Sequence, residues 1–414
     1  MSTATAATPA AQAPSLFRNR TFVAIWLGHT ISIVGDGFHS VALGFWVLQA
    51  TGSASAMATI MSTRVVVGIL LGAVGGTVVD RTDRRRLMIA MNLVRFLTVG
   101  AIALLIRSGS TALLPVIGLT ALTAVAAAFF GPAFQASLVN IVGKEELPKA
   151  SGLLQVSNTL AQIAGPFLGG AVIAFLGGWA ALSLDALSFL VAAVAILIGG
   201  FFPSPRREGA QQTSFWKDLT QGFIYIRKHP LARGLVVQAP VINFFGNAIG
   251  VLIPVIAIKH WMANSIQFGT LEAVFPAGFA IGAMAIMASA KKMTRRGAWM
   301  QGGIFVAGLL IGGIGLMPTI TAALPFALLA GIALAFANVL LQISLQSEIE
   351  PEVQGRVFGT MGSLMQIASP LSMMAAGFLG DIFSPVLLIA LCGGMVSLLA
   401  VAGYLLFPGI RQYQ

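Results

Sequence analysis

The chain has 414 residues, of which 57% are hydrophobic and only 9% are charged. Soluble proteins carry roughly 25% charged residues, so this composition excludes a soluble globular protein and predicts an integral membrane protein. The net charge of +11 could suggest a nucleic-acid partner, but all except four of the 24 lysines and arginines fall in segments that we expect in the cytoplasm. This is the ordinary positive-inside bias, and we predict no nucleic-acid partner. The single cysteine, Cys392, excludes a disulfide framework and a cysteine metal cluster.

Apolar runs of about 20 residues, the length that a bilayer span needs, occur twelve times. The even number predicts both termini on one side, and Arg18, Arg20 and Arg411 beside the terminal runs place that side in the cytoplasm. We therefore predict an all-α, multi-pass protein of the cytoplasmic (inner) membrane, surrounded by membrane lipid. The runs cover residues 22–48, 55–79, 87–106, 112–139, 152–176, 180–202, 233–258, 266–290, 298–317, 322–347, 357–379 and 385–407.

A polar stretch divides the twelve runs into six and six. We predict an N-terminal half at 1–202, a cytoplasmic linker at 203–232 and a C-terminal half at 233–414. Residues 1–15 are rich in Ala, Thr, Ser and Pro, and we expect a disordered tail there, not a cleavable signal peptide. Residues 214–228 carry apolar side chains on roughly one face, which predicts an amphipathic helix on the inner leaflet.

The two halves repeat each other in sequence. Residues 162–166 (Gln-Ile-Ala-Gly-Pro) in the fifth run match 366–370 (Gln-Ile-Ala-Ser-Pro) in the eleventh. The basic loop at 80–85 is echoed at 291–296, without its acids. Such a parallel repeat is typical of transporters that bind their substrate between the halves, near the middle of the membrane.

Charged residues inside a span are costly and indicate function. Asp36 lies in the middle of the first run, and His39 follows one helical turn later on the same face. Arg64 in the second run lies at a similar depth, so an Asp36–Arg64 ion pair with His39 beside it is feasible. We predict that these three residues couple transport to protons. The alternative is a structural ion pair that locks the first two helices together.

Dense charge follows the second run. Glycines at its end allow close approach of another helix, and Asp80 is placed to accept hydrogen bonds from a neighbouring helix N-terminus. The stretch resembles the cytoplasmic signature between helices 2 and 3 of the major facilitator superfamily. In that family the loop aspartate docks on the start of helix 11 when the cytoplasmic side is closed. The resemblance implies a conformational latch made by Gly76, Asp80, Arg81, Arg84, Arg85, Glu145, Gly355 and Arg356, with Glu146 as a second acidic partner for Arg84.

The fifth run contains a proline among glycines. Pro166 removes a backbone hydrogen bond and kinks the helix, and the glycines form a smooth face. The pattern resembles the antiporter motif of drug–proton exporters in the superfamily, with Ala161 in place of one further glycine. We predict a rocking helix whose Gly165 and Gly169 face the C-terminal half; the alternative is a kinked packing helix. The motif comprises Gly152, Gly165, Pro166, Gly169 and Gly170.

Polar residues within other runs are candidates for a substrate cavity. Asp185 lies near the outer end of the sixth run, where it could be merely interfacial. Glu272 lies in the outer third of the eighth run and either contacts a cationic substrate or pairs with Lys259. The amides either line the cavity or only hydrogen-bond between helices. We predict the cavity from Asp36, Arg95, Asn243, Asn247, Glu272, Asn338 and Gln342.

Residues 348–359, 26–28 and 32–36 are similar to the macrolide-efflux and enterobactin-exporter branch of the superfamily, and the resemblance covers nearly the whole chain. It implies a twelve-helix carrier that exports an amphipathic drug or siderophore in exchange for protons by alternating access. We expect a monomer without cofactor or bound metal. The sequence has no Walker A loop and no catalytic constellation, so we predict gradient-driven transport and no enzymatic activity.

Three alternatives to drug or siderophore export remain open. The first is a lysophospholipid or other solute transporter of the same fold. The second is a divalent-metal exporter, because ferroportin-like carriers also place Asp and His in the first helix, although no histidine lies in a later run. The third is a membrane sensor or an intramembrane enzyme on the same scaffold.

Overall fold

The computed structural model describes residues 16–200, 220, 223–227, 229–289 and 293–411. The structure is 92% helical and has no strand in these described ranges. The predicted tail at 1–15 and most of the predicted amphipathic helix at 214–228 lie outside the described residues.

Twelve helices are labelled α1 to α12 in chain order. The helical stretch Leu113–Leu176 is interrupted at Gly143, where a φ of 76° kinks the backbone, and we call residues 113–142 α4 and residues 144–176 α5. The other helices of the N-terminal half are α1 (Arg20–Thr51), α2 (Ala54–Arg81), α3 (Arg84–Arg107) and α6 (Gly178–Ile198). The C-terminal half contains α7 (Pro230–Val255, continued by a π-helical turn at Ile256–His260), α8 (Ser265–Ser289), α9 (Arg296–Gly315), α10 (Ile320–Glu348), α11 (Pro351–Ile382) and α12 (Pro385–Leu406). Short helical turns at Leu16–Arg18 and Pro408–Arg411 flank this set.

The helices are of membrane-spanning length. Ten helices in the described ranges are long and apolar enough to cross a bilayer. One of these is the 64-residue stretch Leu113–Leu176, which is long enough for two spans. α11 was predicted as the eleventh span, and it forms a 32-residue helix without being one of the ten. The all-α multi-pass fold is thus confirmed, whereas the count of twelve spans stays a prediction.

Helix starts follow local capping chemistry. Ser53 is the N-cap of α2 and accepts a hydrogen bond from the Ala56 amide. Asp83 is the N-cap of α3, where its Oδ1 accepts from the Arg86 amide at 2.8 Å. These polar side chains replace hydrogen bonds that the first helical turn cannot make internally. The α2–α3 loop is therefore as short as the sequence predicts.

Most helix pairs that pack extensively lie within one predicted half. In the N-terminal half, α1 and α3 both pack against α6, and in the C-terminal half, α9 packs against α10 and α12. Phe189 lies at the centre of one N-terminal core and Leu340 in the C-terminal core, both fully buried. A further buried cluster joins the halves through Val41 of α1 and Phe268 of α8.

The halves meet closely at one end of the molecule. A Cβ added to Gly377 of α11 would lie 2.5 Å from Ala58 Cβ and 2.9 Å from the Ala54 carbonyl oxygen of α2. Gly170 of α5 likewise touches Ser265 at the start of α8. All of these contacts lie at the end opposite the 80–86 loop. Following the positive-inside prediction, we call this the outer end and the loop side the inner end.

The same helices separate toward the inner end. A Cβ added to Gly72 or Gly76 of α2, or to Gly355 or Gly359 of α11, would meet no atom within 4 Å. The described contacts between α2 and α11, such as Ser53 with Asp381 and Ala58 with Gly377, thus lie in their outer turns. We interpret this as an arrangement closed at the outer end and open at the inner end.

Candidate functional site

Four charged or titratable side chains form two pairs inside the N-terminal half. Arg95 Nη2 of α3 donates to Asp36 Oδ1 of α1 at 3.3 Å, and His39 Nδ1 lies 3.0 Å from Asp185 Oδ2 of α6. Asp185 is fully buried and His39 is buried, whereas the Asp36 side chain is 34% exposed. Asp36 is thus the carboxylate of this cluster that open space can reach.

The predicted Asp36–Arg64 pair is not formed. Asp36 pairs with Arg95 instead, and Arg64 is exposed and makes no ion pair with the described part of the chain. α1 makes few direct contacts with either α2 or α3, so backbone proximity does not select the partner. Arg95 reaches Asp36 over Phe189 of α6, the helix against which both α1 and α3 pack.

Asp185 is a core residue and not an interfacial one. Its side chain has no exposed surface, because α1 approaches α6 closely at Gly35. A Cβ there would lie 2.6 Å from Asp185 Oδ1 and 2.5 Å from Ser188 Oγ. The glycine directly before Asp36 is the sequence signal that could have located this contact, since small residues mark close helix pairs in membranes.

Arg95 is held by aromatic rings as well as by Asp36. Its guanidinium carbon lies 4.0 Å from the centre of the Phe189 ring and 5.9 Å from that of Phe130. Such cation–π contacts contribute about 0.5–2 kcal/mol, more when water is excluded. Arg95 is 8% exposed, so the rings fix a buried positive charge beside Asp36.

The orientation predicted for the fifth-run glycines is wrong. A Cβ at Gly165 would lie 2.9 Å from the Val34 carbonyl oxygen, and one at Gly169 would lie 2.9 Å from Phe38 Cα. Both glycines therefore pack against α1 of their own half. They lie four residues apart and share one helix face, whereas the face toward the C-terminal half begins one residue later.

That neighbouring face does contact α8. The Pro166 carbonyl oxygen and Gly170 both meet Gly269, and Gly170 also meets the Ser265 backbone. Gly152, at the inner part of α5, would meet nothing within 4 Å if it carried a Cβ. Within the motif, Gly165 and Gly169 thus contact α1 of their own half, whereas Pro166 and Gly170 contact α8 of the other half. Gly152 faces an open surface.

The loop aspartate is paired within its own half in this state. Asp80 Oδ1 lies 3.5 Å from Arg84 Nη2, and the Asp80 side chain is 58% exposed. Arg84 is buried and also donates to the Ala136 carbonyl at 3.1 Å. Arg85 Nη2 donates to the Leu197 carbonyl, at the end of α6, at 2.7 Å. The arginines therefore brace the loop against α4 and α6.

The other predicted latch residues are not assembled at this end. Glu146 pairs with Lys149 at 2.8 Å, and Glu145 is exposed. Gly76 and Gly355 face open space, as described above. Arg81 is also exposed, and Arg356 is half-buried at the start of α11. Docking of Asp80 on α11, expected only when the inner end is closed, stays a prediction.

The predicted cavity residues fall into separate groups. Asn243 and Asn338 line a cavity of about 260 Å³ in the C-terminal half, together with Gln238 and apolar side chains of α7, α9, α10, α11 and α12. Asn243 Nδ2 donates to the Met365 carbonyl at 3.1 Å. Asn247 Nδ2 donates to Ser369 Oγ at 3.0 Å, and so joins α7 to α11.

Glu272 stands apart from this cavity. It is half-buried and forms no hydrogen bond or ion pair with the described residues. The alternative partner, Lys259, donates instead to the Gly52 carbonyl at 2.5 Å. Gln342 is exposed near the inner end of α10.

Comparison with known proteins places this geometry in a family. A model of the Major Facilitator Superfamily matches residues 25–373. Macrolide efflux protein A of Streptococcus pyogenes is 22% identical over 363 residues, covering 87% of this chain and 89% of that protein. Multidrug efflux pump Tap of Mycobacterium tuberculosis is 25% identical over 385 residues, covering 89% and 90%. The predicted resemblance to macrolide-efflux proteins is confirmed at this low identity.

Solved structures give the same fold. The nucleoside transporter NupG superposes with a TM-score of 0.73 at 12% identity, over 95% of this chain and 100% of that one. A bacterial homologue of the iron transporter ferroportin, in an inward-facing state, superposes with a TM-score of 0.72 at 14% identity, over 94% and 99%. The chain belongs to the major facilitator superfamily of membrane transporters, and it is not an enzyme.

Proposed function

We propose that this transporter exports an amphipathic small molecule, of the drug or siderophore class, in exchange for protons. The similarity to efflux proteins supports export, and the arrangement open at the inner end supports alternating access. The observation that carries proton coupling is the partly exposed carboxylate of Asp36, ion-paired with a buried arginine. Asp36 would exchange its proton with the inner side of the protein, which is open in this arrangement.

Protonation of Asp36 would remove the negative charge that pairs with Arg95. Removing one partner of a fully buried ion pair costs about 3–5 kcal/mol, and the cost here is below that range because Asp36 is partly exposed. Among the described residues, Arg95 would keep its contacts with the rings of Phe189 and Phe130. A neutral Asp36 therefore favours a shift of α1 relative to α3 and α6, and an ionised Asp36 restores the pair.

A shift of α1 would act through α5 on the contact between the two halves. Gly37, next to Asp36, would place a Cβ 2.9 Å from Pro166 Cδ, and the Pro166 carbonyl oxygen meets Gly269 of α8. Pro166 of α5 thus lies between the proton-binding helix and the C-terminal half. Interior packing tolerates little displacement, so movement of α1 at this point is transmitted to the α5–α8 contact.

We propose that Glu272 binds the cationic part of a substrate. It is the only acidic residue between 233 and 347, and it is half-buried with no described partner. It lies three residues, almost one turn, inward of Gly269 and the α5–α8 contact. Asp36 is next to Gly37, which contacts Pro166. Glu272 lies almost one turn from Gly269, which contacts the Pro166 carbonyl oxygen, so proton and substrate cation can influence one another through this contact.

We propose that the cavity at Asn243 and Asn338 takes an apolar group of the substrate. Binding sites for whole drug-sized ligands have volumes of about 300–1,000 Å³, so about 260 Å³ fits a fragment of one. Its mostly apolar lining with a few amides suits an amphipathic molecule. We further propose that the protein is a monomer of the cytoplasmic membrane, with both termini in the cytoplasm.

Transport into inside-out vesicles tests this function. An imposed pH gradient should drive uptake of at least one compound from a panel of lipophilic cations, macrolides, siderophores and lysophospholipids. Asp36→Asn should abolish uphill uptake and leave part of the downhill exchange. Arg64→Gln, which removes a charge that has no ion pair among the described residues, is the matched control and should keep uphill uptake. Full proton-driven transport by Asp36→Asn would contradict the proposal, and transport of lysophospholipid alone would replace the substrate class.

A further inference from the structure

The outer turn between α1 and α2 presents two helix ends side by side. α1 ends at the C-cap Gly52, where φ is 61°, and α2 begins directly after the N-cap Ser53. The last carbonyls of a helix carry a partial negative charge, and the first amides carry a partial positive charge. This two-residue turn therefore exposes charges of opposite sign within a few ångströms.

The C-terminal half supplies an anion to the positive end. Asp381, in the last turn of α11, accepts a hydrogen bond through Oδ1 from the Ala54 amide at 2.6 Å. Its Oδ2 accepts from the Ser55 amide at 3.1 Å and from Ser53 Oγ at 2.8 Å. Three donors at the start of α2 thus converge on one carboxylate from the other half.

The C-terminal half also supplies a cation to the negative end. Lys259 lies in the π-helical turn Ile256–His260 that follows α7. Its Nζ donates to the Gly52 carbonyl at 2.5 Å. Each helix end therefore receives the charge that its dipole favours.

Both contacts can exist only while the outer ends are closed. Ala54 and Ala58, beside the turn, are fully buried, and Gly377 and Gly380 of α11 pack directly on them. If α2 and α11 part at the outer end, Asp381 loses all three donors and Lys259 loses its carbonyl.

We propose that Lys259 and Asp381 form an outer clamp on the α1–α2 turn, which stabilises the inner-open state and must be released in each transport cycle. The clamp rests on alternating access but not on the identity of the substrate or coupling ion. It is not a salt bridge, because the two charges bind different backbone groups. Exchanging them, as Lys259→Asp with Asp381→Lys, would place each charge at the unfavourable helix end and would not restore the clamp.

Distance measurements between spin labels test the clamp without any substrate. Labels at Thr111 and Phe383 report the outer ends, and labels at Ser151 and Gln346 report the inner ends, in a Cys392→Ser background reconstituted in lipid nanodiscs. Asp381→Asn and, independently, Lys259→Met should each shift the population toward the outer-open state. A charge at a helix end contributes enough to change a two-state ratio by about twofold to thirtyfold.

Thr319→Val is the matched control. Thr319 caps α10 at the outer end, where its Oγ1 accepts from the Ala322 amide at 3.3 Å within one half. Its loss should lower thermal stability without moving the ratio of states. Two results would overturn the clamp: unchanged distance distributions in both Asp381→Asn and Lys259→Met, or recovery of the wild-type ratio in the charge-exchanged double variant. If one single variant does not fold, the other still decides the question.

Discussion

The tight outer contact of α11 with α2 predicts that one added methyl group changes the resting state. In Gly377→Ala, the new Cβ would lie 2.5 Å from Ala58 Cβ, 2.9 Å from the Ala54 carbonyl oxygen and 3.0 Å from Ser55 Cα. Carbon atoms do not approach this closely, so the helices must separate at the outer end. Overpacking of this kind costs about 1–3 kcal/mol. The cost applies only to the state in which these turns touch. The ratio of outer-open to inner-open molecules should therefore rise by about fivefold to 160-fold.

The spin-label pair at Thr111 and Phe383 measures that ratio directly. Gly394→Ala on α12 is the control, because its Cβ would meet nothing within 4 Å, and it should leave the distances unchanged. A folded Gly377→Ala protein with the wild-type distribution would refute the reasoning. It would mean that the α2–α11 contact yields locally and does not determine the state.

Three further predictions follow from the same geometry. Asp80→Asn should favour the inner-open state by up to about thirtyfold and slow transport at near-normal membrane abundance; an unchanged ratio of states with lost transport would exclude a latch. Glu272→Gln should raise KM at least about tenfold for lipophilic cations, the equivalent of one charged hydrogen bond, with neutral substrates as the control; equal changes for both would remove Glu272 from cation binding. Gly169→Leu should lower thermal stability because it collides with α1, whereas Gly170→Leu should alter the ratio of states through α8; the reverse pattern would contradict the assignment of the two faces.

The all-α fold could be predicted from sequence because few backbone structures are stable in lipid. A span must satisfy its backbone internally, so the apolar runs become helices. The short α2–α3 loop follows from Asp83, whose side chain caps the next helix at once. These features depend on local sequence alone.

The partners of the charged residues could not be predicted in the same way. Arg64 and Arg95 are both feasible partners of Asp36 by depth, but Arg95 is held beside Asp36 by Phe189 of α6, against which both α1 and α3 pack. The depth of a residue in the membrane can be estimated by counting residues along a span. The direction in which a helix face points depends on packing between segments that are distant in sequence. The wrong orientation of Gly165 and Gly169 has the same cause, since a shift of one residue rotates the face by about 100°.

The outer clamp did leave a signal in the sequence. Asp381 lies in the last turn of α11, where its charge is unfavourable for the dipole of its own helix. An acid at the wrong end of a helix indicates that it serves another helix. Recognising which helix requires the antiparallel packing of α2 and α11, which only the structure provides.

Proton exchange by Asp36 is the central claim, and proton movement coupled to substrate tests it most directly. The purified protein would be reconstituted in liposomes containing a pH-sensitive dye, and a transported compound from the panel would be added without any imposed pH gradient. The wild type should move protons opposite to the substrate, Arg64→Gln should do the same, and Asp36→Asn should move substrate without protons. Substrate-dependent proton movement of wild-type size in Asp36→Asn would contradict the account.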